Sequence, residues 1–334
     1  MTRSFPTDEQ LADVSRAAFG NGRRLDGVTR LRGGTKKGVY RAAFADGGTA
    51  IVYVWDAAED YWPGAADGAD GADRDHAEPL SHPSGLELFL AAHGRLDGVG
   101  VRVPEVYLAG GRERFGADVA VVEDVAGPNL LELMEDDPRR AEPVLRQLGD
   151  AVAAMHAVKG PGFGKVVYVD RGGVSKGASC EAVILDRALA DLAEGAERDE
   201  RLAAVRDDIA LRLRSRAAQI RPRADHRLIH GELGPEHVLV DGQGRPVIID
   251  IEGLMYFDVE WDHVFLRLRY QEDYRFLDRD DMDPARLRLY ALAMHLSLVT
   301  GPLRLLDGDF PEREGMLQIV EHNLGRVLAQ GTES

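Results

Sequence analysis

The stretch that decides the fold runs from Leu228 to Glu252 and reads LIHGELGPEHVLVDGQGRPVIIDIE. A polar loop leads into a short apolar strand at Val238–Val240. The turn at 241–244 has the sequence Asp-Gly-Gln-Gly, and a second apolar strand follows at Pro246–Ile249. Two apolar segments joined by glycine-rich turn chemistry predict a β-hairpin.

Charged and titratable side chains lie at both edges of this hairpin. Glu232, Glu236 and His237 precede its first strand, and Asp250 and Glu252 follow its second. Because a tight hairpin brings its two edges together, we expect the carboxylates to face one small volume. Carboxylates gathered in this way suit a hard divalent cation and a proton acceptor beside a phosphate group.

These residues resemble the catalytic segment of the small-molecule kinases that include aminoglycoside phosphotransferases and choline kinases. The family pattern is H-G-D-L-x-P-x-N followed, after a hairpin, by I-D-[FW]-E. This chain has His230-Gly231-Glu232-Leu233-Gly234-Pro235-Glu236-His237 and then Ile249-Asp250-Ile251-Glu252. The resemblance implies that Asp250 binds a metal ion, that Glu232 replaces the catalytic aspartate and that His237 replaces a metal-binding asparagine. It also implies that His230 and Asp262 support the catalytic loop.

The fold implied by the resemblance is the two-lobed α+β fold of protein kinases, with a small antiparallel-sheet N-lobe and a larger, mostly helical C-lobe. The order of predicted elements agrees, because strands come first and helices later. Strands are predicted at Gly27–Arg32, Val39–Phe44, Ala50–Trp55, Val101–Tyr107 and Ala117–Val125. We expect a nucleotide-binding N-lobe over residues 1–126 and a C-lobe over 127–334 with the catalytic loop and substrate-binding helices.

An acidic tract interrupts the N-lobe pattern. Its sequence GAADGADGAD offers too little apolar surface to order itself, so residues 57–84 are expected to form a mobile loop. The helix after it carries Glu87 and is expected to end at Gly94. In the C-lobe, an apolar stripe at helical spacing ends near His156.

Nucleotide binding is expected at the glycine-rich turn between the first two strands. Its backbone N–H groups can cradle phosphate oxygens while two lysines add positive charge, although a Gly-Gly turn alone is also typical of an ordinary hairpin. In the similar kinases, backbone groups of the last N-lobe strand meet the base. The residues expected to bind nucleotide are Gly33, Gly34, Thr35, Lys36, Lys37, Glu87, Glu123 and Val125.

The third strand lacks a lysine that kinases normally place there and pair with a helix glutamate. Its sequence is IVYVW, and Tyr53 stands at the aligned position. Two interpretations stay open. Either Lys36 or Lys37 reaches the same phosphates and pairs with Glu87, or nucleotide binding is weak or lost.

The metal site also has alternatives. Mg²⁺ prefers oxygen ligands, whereas the imidazole of His237 suits Mn²⁺ better. The site could prefer Mn²⁺, hold Mg²⁺ through Asp250 and waters, or bind no productive metal. A zinc site built from His226, His230 and His237 is disfavoured, because no cysteine or carboxylate is spaced to complete it.

Composition limits the partners. The chain has 334 residues, with 41 Lys and Arg against 57 Asp and Glu, which gives a net charge of −16. This charge disfavours nucleic acid and anionic membranes and would attract a cationic substrate, although acidity also serves solubility. The single Cys180, the absence of an apolar run of about 20 residues and the acidic N-terminus predict a cytoplasmic protein.

Two functions follow as hypotheses. The first is a phosphotransferase that uses Mg²⁺ or Mn²⁺ to move the γ-phosphate of ATP or GTP to a hydroxyl of a small molecule, such as an aminoglycoside-like compound or an amino alcohol. Glu232 would act as the base, although its stem is longer than that of aspartate by about 1.5 Å. The second is a pseudokinase that binds a nucleotide, ligand or partner without transfer, which the departures at Tyr53, Glu232 and His237 motivate. The acceptor and the oligomeric state stay open.

Overall fold

The structure, a computed structural model, describes residues 5–32, 34–62 and 76–332. Leaving aside the residues outside these ranges, the chain divides into two compact units. The first comprises Met1–Asp73, His82–Ala151 and Pro235–Gly253, and the second comprises Arg74–Ser81, Val152–Gly234 and Leu254–Ser334. The hairpin that follows the predicted catalytic loop therefore groups with the N-terminal segment. A lobe boundary at residue 126 stays a prediction.

Strands dominate the first part of the chain and helices the second, which confirms the α+β class. The elements up to residue 157 are α1 (Asp8–Phe19), β1 (Leu25–Arg30), β2 (Gly38–Phe44), β3 (Thr49–Trp55), α2 (Leu86–Gly98), β4 (Val106–Gly110), α3 (Arg112–Phe115), β5 (Asp118–Glu123), α4 (Leu130–Asp136) and α5 (Pro138–Ala157). Those that follow are β6 (Gly164–Lys165), α6 (Val166–Val169), α7 (Cys180–Arg198), α8 (Glu200–Ala217), β7 (Arg227–Ile229), β8 (Val238–Val240), β9 (Pro246–Ile248), β10 (Met255–Phe257), α9 (Val259–Tyr270), α10 (Pro284–Asp307) and α11 (Arg313–Thr332).

The first unit is built on an antiparallel sheet with the strand order β1-β2-β3-β5-β4. Alternate residues of β2 point to one face, where they pack with residues of β3, β5 and α1. A capping box starts α1: the Thr7 side chain accepts from the backbone N–H of Gln10, and the Gln10 side chain accepts from the backbone N–H of Thr7. The core on this face consists of Leu11, Val14, Tyr40, Ala42, Phe44, Ala50, Val52, Val54, Val119 and Val121.

Strand β3 is buried on both faces, which explains its continuous apolar sequence. On the face opposite α1, the rings of Tyr53 and Trp55 lie 5.6 Å and 5.5 Å from the ring of Phe89 on α2. Tyr53 thus fills the apolar space between β3 and α2. The prediction that α2 ends at Gly94 was wrong, because the helix continues to Gly98. The continuation includes Leu96, which is fully buried.

One further prediction needs correction at its bounds. The strand expected at Val101–Tyr107 lies at β4, and the chain before β4 instead bonds to the hairpin, where the Arg102 carbonyl accepts from the N–H of Ile248 over 2.9 Å. Pro104 interrupts the predicted run, because a proline nitrogen carries no hydrogen and cannot donate a hydrogen bond to a neighbouring strand.

The predicted loop 57–84 is packed at its described flanks, while residues 63–75 lie outside the described residues. The carboxylate of Glu59 is fully buried and accepts hydrogen bonds from Arg30 and from the hydroxyl of Tyr40. Asp60 is paired with His82, with 2.9 Å between Oδ2 and Nε2. Acidic residues can be buried here because each has a specific partner.

The second unit has a helical core. Helices α7, α8, α10 and α11 pack around leucines that are almost fully buried, among them Leu192, Leu202, Leu213, Leu289, Leu296 and Leu324. A short sheet of order β6-β10-β7 belongs to the same unit. Among the described helices, α10 is long and apolar enough to cross a membrane by composition, but 61% of its apolar window is buried, as in a core helix.

Candidate active site

The predicted hairpin is present as β8 and β9. The carboxylate of Asp241 accepts hydrogen bonds from the backbone N–H groups of Gln243 and Arg245, both over 2.9 Å, which fixes the turn. The pairing extends past the strands, because the N–H of Ile249 donates to the carbonyl of His237 over 2.9 Å. This register places His237 beside Asp250, as the sequence predicted.

Asp250 leaves the hairpin in a left-handed backbone conformation, with φ at 58°. A non-glycine residue in this region carries strain that the surrounding structure must support, and such residues cluster at functional sites. Its carboxylate has two different neighbours. Oδ1 accepts a hydrogen bond from Nζ of Lys37 over 2.8 Å, and Oδ2 lies 3.8 Å from Nε2 of His237.

Lys37 also donates to Oε1 of Glu252 over 2.6 Å, and both of these side chains are buried. Its ammonium lies 5.3 Å from the centroid of the Tyr53 ring. The lysine of the glycine-rich turn therefore reaches the aromatic residue that replaces the third-strand lysine. The interpretation that paired a relocated lysine with Glu87 is wrong for Lys37, whose partners are Asp250 and Glu252; Glu87 lies exposed in the first turn of α2.

Electrostatics keep this cluster charged. Burial disfavours an ionised Asp250, but the adjacent ammonium of Lys37 outweighs it and holds the pKa of the carboxyl well below its ordinary value. Burial likewise disfavours a charged Lys37, but Asp250 and Glu252 outweigh it and raise the pKa of the lysine. Burial raises the pKa of Tyr53 to about 12, so its hydroxyl stays neutral.

The glycine-rich turn is held by the segment that follows β3. Thr35 accepts from the backbone N–H of Tyr61 through its carbonyl, over 2.9 Å, and from the indole of Trp62 through its hydroxyl, over 3.3 Å. The hydroxyl of Ser84 donates to the carbonyl of Lys36 over 2.9 Å. A Cβ on Gly34 would fall 2.5 Å from the carbonyl oxygen of Lys37, so the turn requires glycine there. Gly33 lies outside the described residues.

The two residues that are predicted to bind the nucleotide base lie at the end of strand β5 and just after it. The N–H of Glu123 donates to the carbonyl of Glu105 over 2.8 Å, and its carboxylate pairs with Arg102. Val125 is buried just after the strand. The role of this backbone in binding a nucleotide base stays a prediction.

The first part of the predicted catalytic loop, residues 230–234, belongs to the second unit and lies beside Asp262. This buried carboxylate accepts hydrogen bonds from the backbone N–H groups of Gly231, over 2.6 Å, and His230, over 3.2 Å. Nε2 of His156 lies 3.0 Å from Oδ2 of Asp262, the oxygen that also accepts from His230, and the sequence interpretation missed this partner. Burial opposes ionisation of Asp262, but the hydrogen bond from His156 keeps its pKa below the ordinary value. Glu232 is exposed on this loop, with its N–H 3.4 Å from Nδ1 of His230.

The disfavoured zinc site differs from its prediction in one respect. The structure brings Cys180 and Asp258 to His226, and Sγ of Cys180 lies 3.5 Å from Nδ1 of His226. The carboxylate of Asp258 already accepts hydrogen bonds from Arg223 and Arg286, and burial raises the pKa of the Cys180 thiol. A carboxylate neutralised by two arginines and a protonated thiol are poor ligands for a cation.

The chain matches known proteins in family and fold. A family model described as the phosphotransferase enzyme family matches residues 29–296. No curated protein sequence matches the chain significantly. Solved structures with the same fold include an aminoglycoside phosphotransferase, APH(4)-Ia, at 18% identity and a TM-score of 0.62, covering 98% of this chain and 100% of that one.

Two other solved structures extend this similarity. Spectinomycin phosphotransferase APH(9)-Ia, in complex with ADP and spectinomycin, is 13% identical with a TM-score of 0.66 and covers 98% of this chain and 99% of that one. LicA in complex with AMP is 14% identical with a TM-score of 0.58 and covers 98% and 100%. At these identities the likeness confirms the predicted protein kinase-like fold.

Proposed function

Because this chain belongs to the phosphotransferase enzyme family, we propose that it transfers the γ-phosphate of ATP or GTP to a hydroxyl group of a small molecule. The observation that carries the proposal is the convergence of Lys37, Asp250, Glu252 and His237 within one unit. A lysine on a glycine-rich turn beside two carboxylates supplies the charges that phosphate and metal recognition need.

The residues would divide the work as follows. Asp250 and His237 would hold a divalent metal, which neutralises charge on the transferring phosphate when it is bound. The donor set of one carboxylate and one imidazole fits Mn²⁺ better than Mg²⁺. Lys37 would contact phosphate oxygens in the role of the lysine that β3 lacks. Gly33, Gly34, Thr35 and Lys36 would contact them from the turn, and Glu123 and Val125 would contact the base.

Glu232 would accept the proton of the acceptor hydroxyl. Its loop is preshaped, because Asp262 binds two consecutive backbone N–H groups and His156 fixes Asp262. His230 would support the same loop. A general base must lie within hydrogen-bond reach of the proton that it removes, so a rigid loop favours catalysis.

The acceptor is proposed to be a polar molecule of the aminoglycoside or amino-alcohol type. APH(9)-Ia binds spectinomycin together with ADP, and the net charge of −16 would attract a cationic compound. We place this chemistry in the cytoplasm, where ATP is available.

A thermal-shift screen of ATP, GTP, ADP and AMP with Mg²⁺ or Mn²⁺ tests donor binding. An ATP-consumption assay over a library of hydroxyl-bearing amines, with each compound's deoxy or O-methyl analogue as control, then tests transfer. Consumption that depends on the free hydroxyl supports the proposal. Nucleotide binding without consumption across the library would instead assign the chain to the pseudokinases, as the engagement of Lys37 by both carboxylates allows.

A further inference from the structure

Lys37 pairs with Asp250, the carboxylate that a metal ion would need, and with Glu252. Its ammonium lies 2.8 Å from Asp250 and 2.6 Å from Glu252, and only 9% of its side chain is exposed. The ring of Tyr53 lies on it as well. The ammonium is therefore the counterion of two acids, of which Glu252 is buried and Asp250 is 32% exposed.

A metal ion at Asp250 would meet this counterion directly. The two carboxylates and the lysine together carry one net negative charge. A divalent cation bound to Asp250 would come within a few ångströms of the ammonium, where like charges in a partly buried site repel strongly. Nε2 of His237, the second proposed metal ligand, lies near Oδ2 of Asp250. The other oxygen of the same carboxylate, Oδ1, accepts the hydrogen bond from Lys37.

We propose that Lys37 and the metal ion compete for Asp250, so that arrival of the metal–nucleotide transfers the lysine from Asp250 and Glu252 to the phosphates. This proposal rests on the proposed function, since it takes a metal–nucleotide as the ligand. The lysine stem has four rotatable bonds, so a short movement of its ammonium requires no change in the backbone of the turn. Relocation of the lysine from β3 to the glycine-rich turn would thus couple binding of the metal ion to binding of the phosphate donor.

The test measures two affinities whose changes have opposite signs. In Lys37→Met, we expect the affinity for Mn²⁺ alone, followed by the electron paramagnetic resonance signal of free Mn²⁺, to rise on the order of tenfold. The affinity for ATP in saturating Mn²⁺ should fall on the order of tenfold. A lysine that only supports the fold would lower both affinities, and one that only binds phosphate would leave the Mn²⁺ affinity unchanged. Either of these results overturns the proposal.

A charge-matched control and a milder variant complete the experiment. Lys37→Arg keeps the positive charge and should leave the Mn²⁺ affinity near that of the wild type. Lys37→Gln removes the charge but keeps a donor for the carboxylates, and should bind Mn²⁺ more tightly than the wild type. If a neutral variant is unfolded without metal, saturating Mn²⁺ should restore folding by replacing the missing charge, and failure to do so contradicts the proposal.

The outcomes separate this inference from the function on which it rests. Wild-type protein that binds no nucleotide with either metal removes the proposed function. Wild-type protein that binds metal–nucleotide, together with neutral variants that gain no Mn²⁺ affinity, removes only the competition.

Discussion

The ammonium of Lys37 donates to Oδ1 of Asp250 over 2.8 Å, although 213 positions separate the two residues in sequence. The contact joins the glycine-rich turn to the residue that directly follows the hairpin. It places a cation of the expected phosphate-binding turn on the expected metal ligand. Loss of the Asp250 carboxylate should therefore affect the binding of both the nucleotide phosphates and the metal ion.

Asp250→Asn should abolish most phosphoryl transfer. The amide cannot neutralise Lys37 or a metal ion, and loss of such an electrostatic group costs roughly 10²–10³ in kcat. Steady-state kinetics with an accepted substrate measure the effect. Asp136→Asn, an exposed change at the end of α4 in the same unit, is the matched control and should leave kcat within twofold. Equal kcat values for the two variants would show that Asp250 takes no part in phosphoryl transfer.

Glu232→Gln should lower kcat while the affinity for nucleotide stays near that of the wild type. A general base contributes roughly 10²–10⁴ to rate, and Glu232 lies on a loop that its partners hold in place. Glu232→Asp keeps the acid but withdraws it by about 1.5 Å, so its kcat should lie between those of the wild type and Glu232→Gln. An aspartate variant as slow as the glutamine variant would show that reach matters as much as charge. A glutamine variant with normal kcat would exclude proton transfer by this residue.

His237→Asn should shift the metal preference towards Mg²⁺. An asparagine offers an oxygen ligand in place of the imidazole nitrogen that lies 3.8 Å from Asp250. The ratio of nucleotide affinities in Mn²⁺ and Mg²⁺, measured by calorimetry, should fall by about tenfold, which corresponds to about 1.4 kcal/mol. An unchanged ratio would mean that the imidazole does not touch the metal.

Gly34→Ala should weaken nucleotide binding. The new Cβ would fall 2.5 Å from the carbonyl oxygen of Lys37, so the turn must shift at a cost of about 1–3 kcal/mol. Nucleotide affinity and thermal unfolding measure the two effects. Gly22→Ala meets no atom within 4 Å and is the control, with little expected effect on either quantity. A Gly34 variant that behaves like the control would show that the turn tolerates the displacement.

Mild acid should destabilise the protein through His263. Burial, and then the nearby His156, lower the pKa of His263 to about 3, and its Nε2 is buried without a hydrogen-bond partner among the described residues. The unfolded chain binds this proton near pH 6.5, so the stabilising contribution is complete above that pH and falls as pH drops towards 3. The free energy of unfolding should decrease by up to about 1.4 kcal/mol per pH unit from this residue.

Urea titrations between pH 7 and pH 4 measure this effect. In the wild type, the hydroxyl of Tyr274 lies 2.9 Å from Nδ1 of His263. His263→Gln keeps a polar side chain beside Tyr274 but binds no proton in this pH range. Its stability should depend less steeply on pH. Parallel curves for the two proteins would assign the acid sensitivity to other groups.

Local sequence determines the parts of the fold that could be predicted. The hairpin of β8 and β9 follows from the turn at Asp241, whose carboxylate binds backbone N–H groups within four residues. The capping box at Thr7 likewise involves residues three positions apart. In both cases the partners are adjacent in the chain, so their spacing determines their contact.

Tertiary packing decided what the sequence could not show. Gly94 does not end α2, because burial of Leu96 offsets a helix propensity cost of about 1 kcal/mol. His156 closes an apolar helical stripe, and nothing in its neighbours indicates that it meets Asp262, 106 positions away. The partners of Lys37 were missed for the same reason, since an ion pair between distant segments has no signal in local spacing.

Transfer of the label from γ-³²P-ATP to an accepted hydroxyl compound is the decisive measurement for phosphoryl transfer by this protein. We expect wild-type protein to move the label to the acceptor with one ADP formed per phosphorylated product, and Asp250→Asn to move almost none. Label that stays on ATP, or appears only as free phosphate whatever acceptor is present, would contradict this expectation.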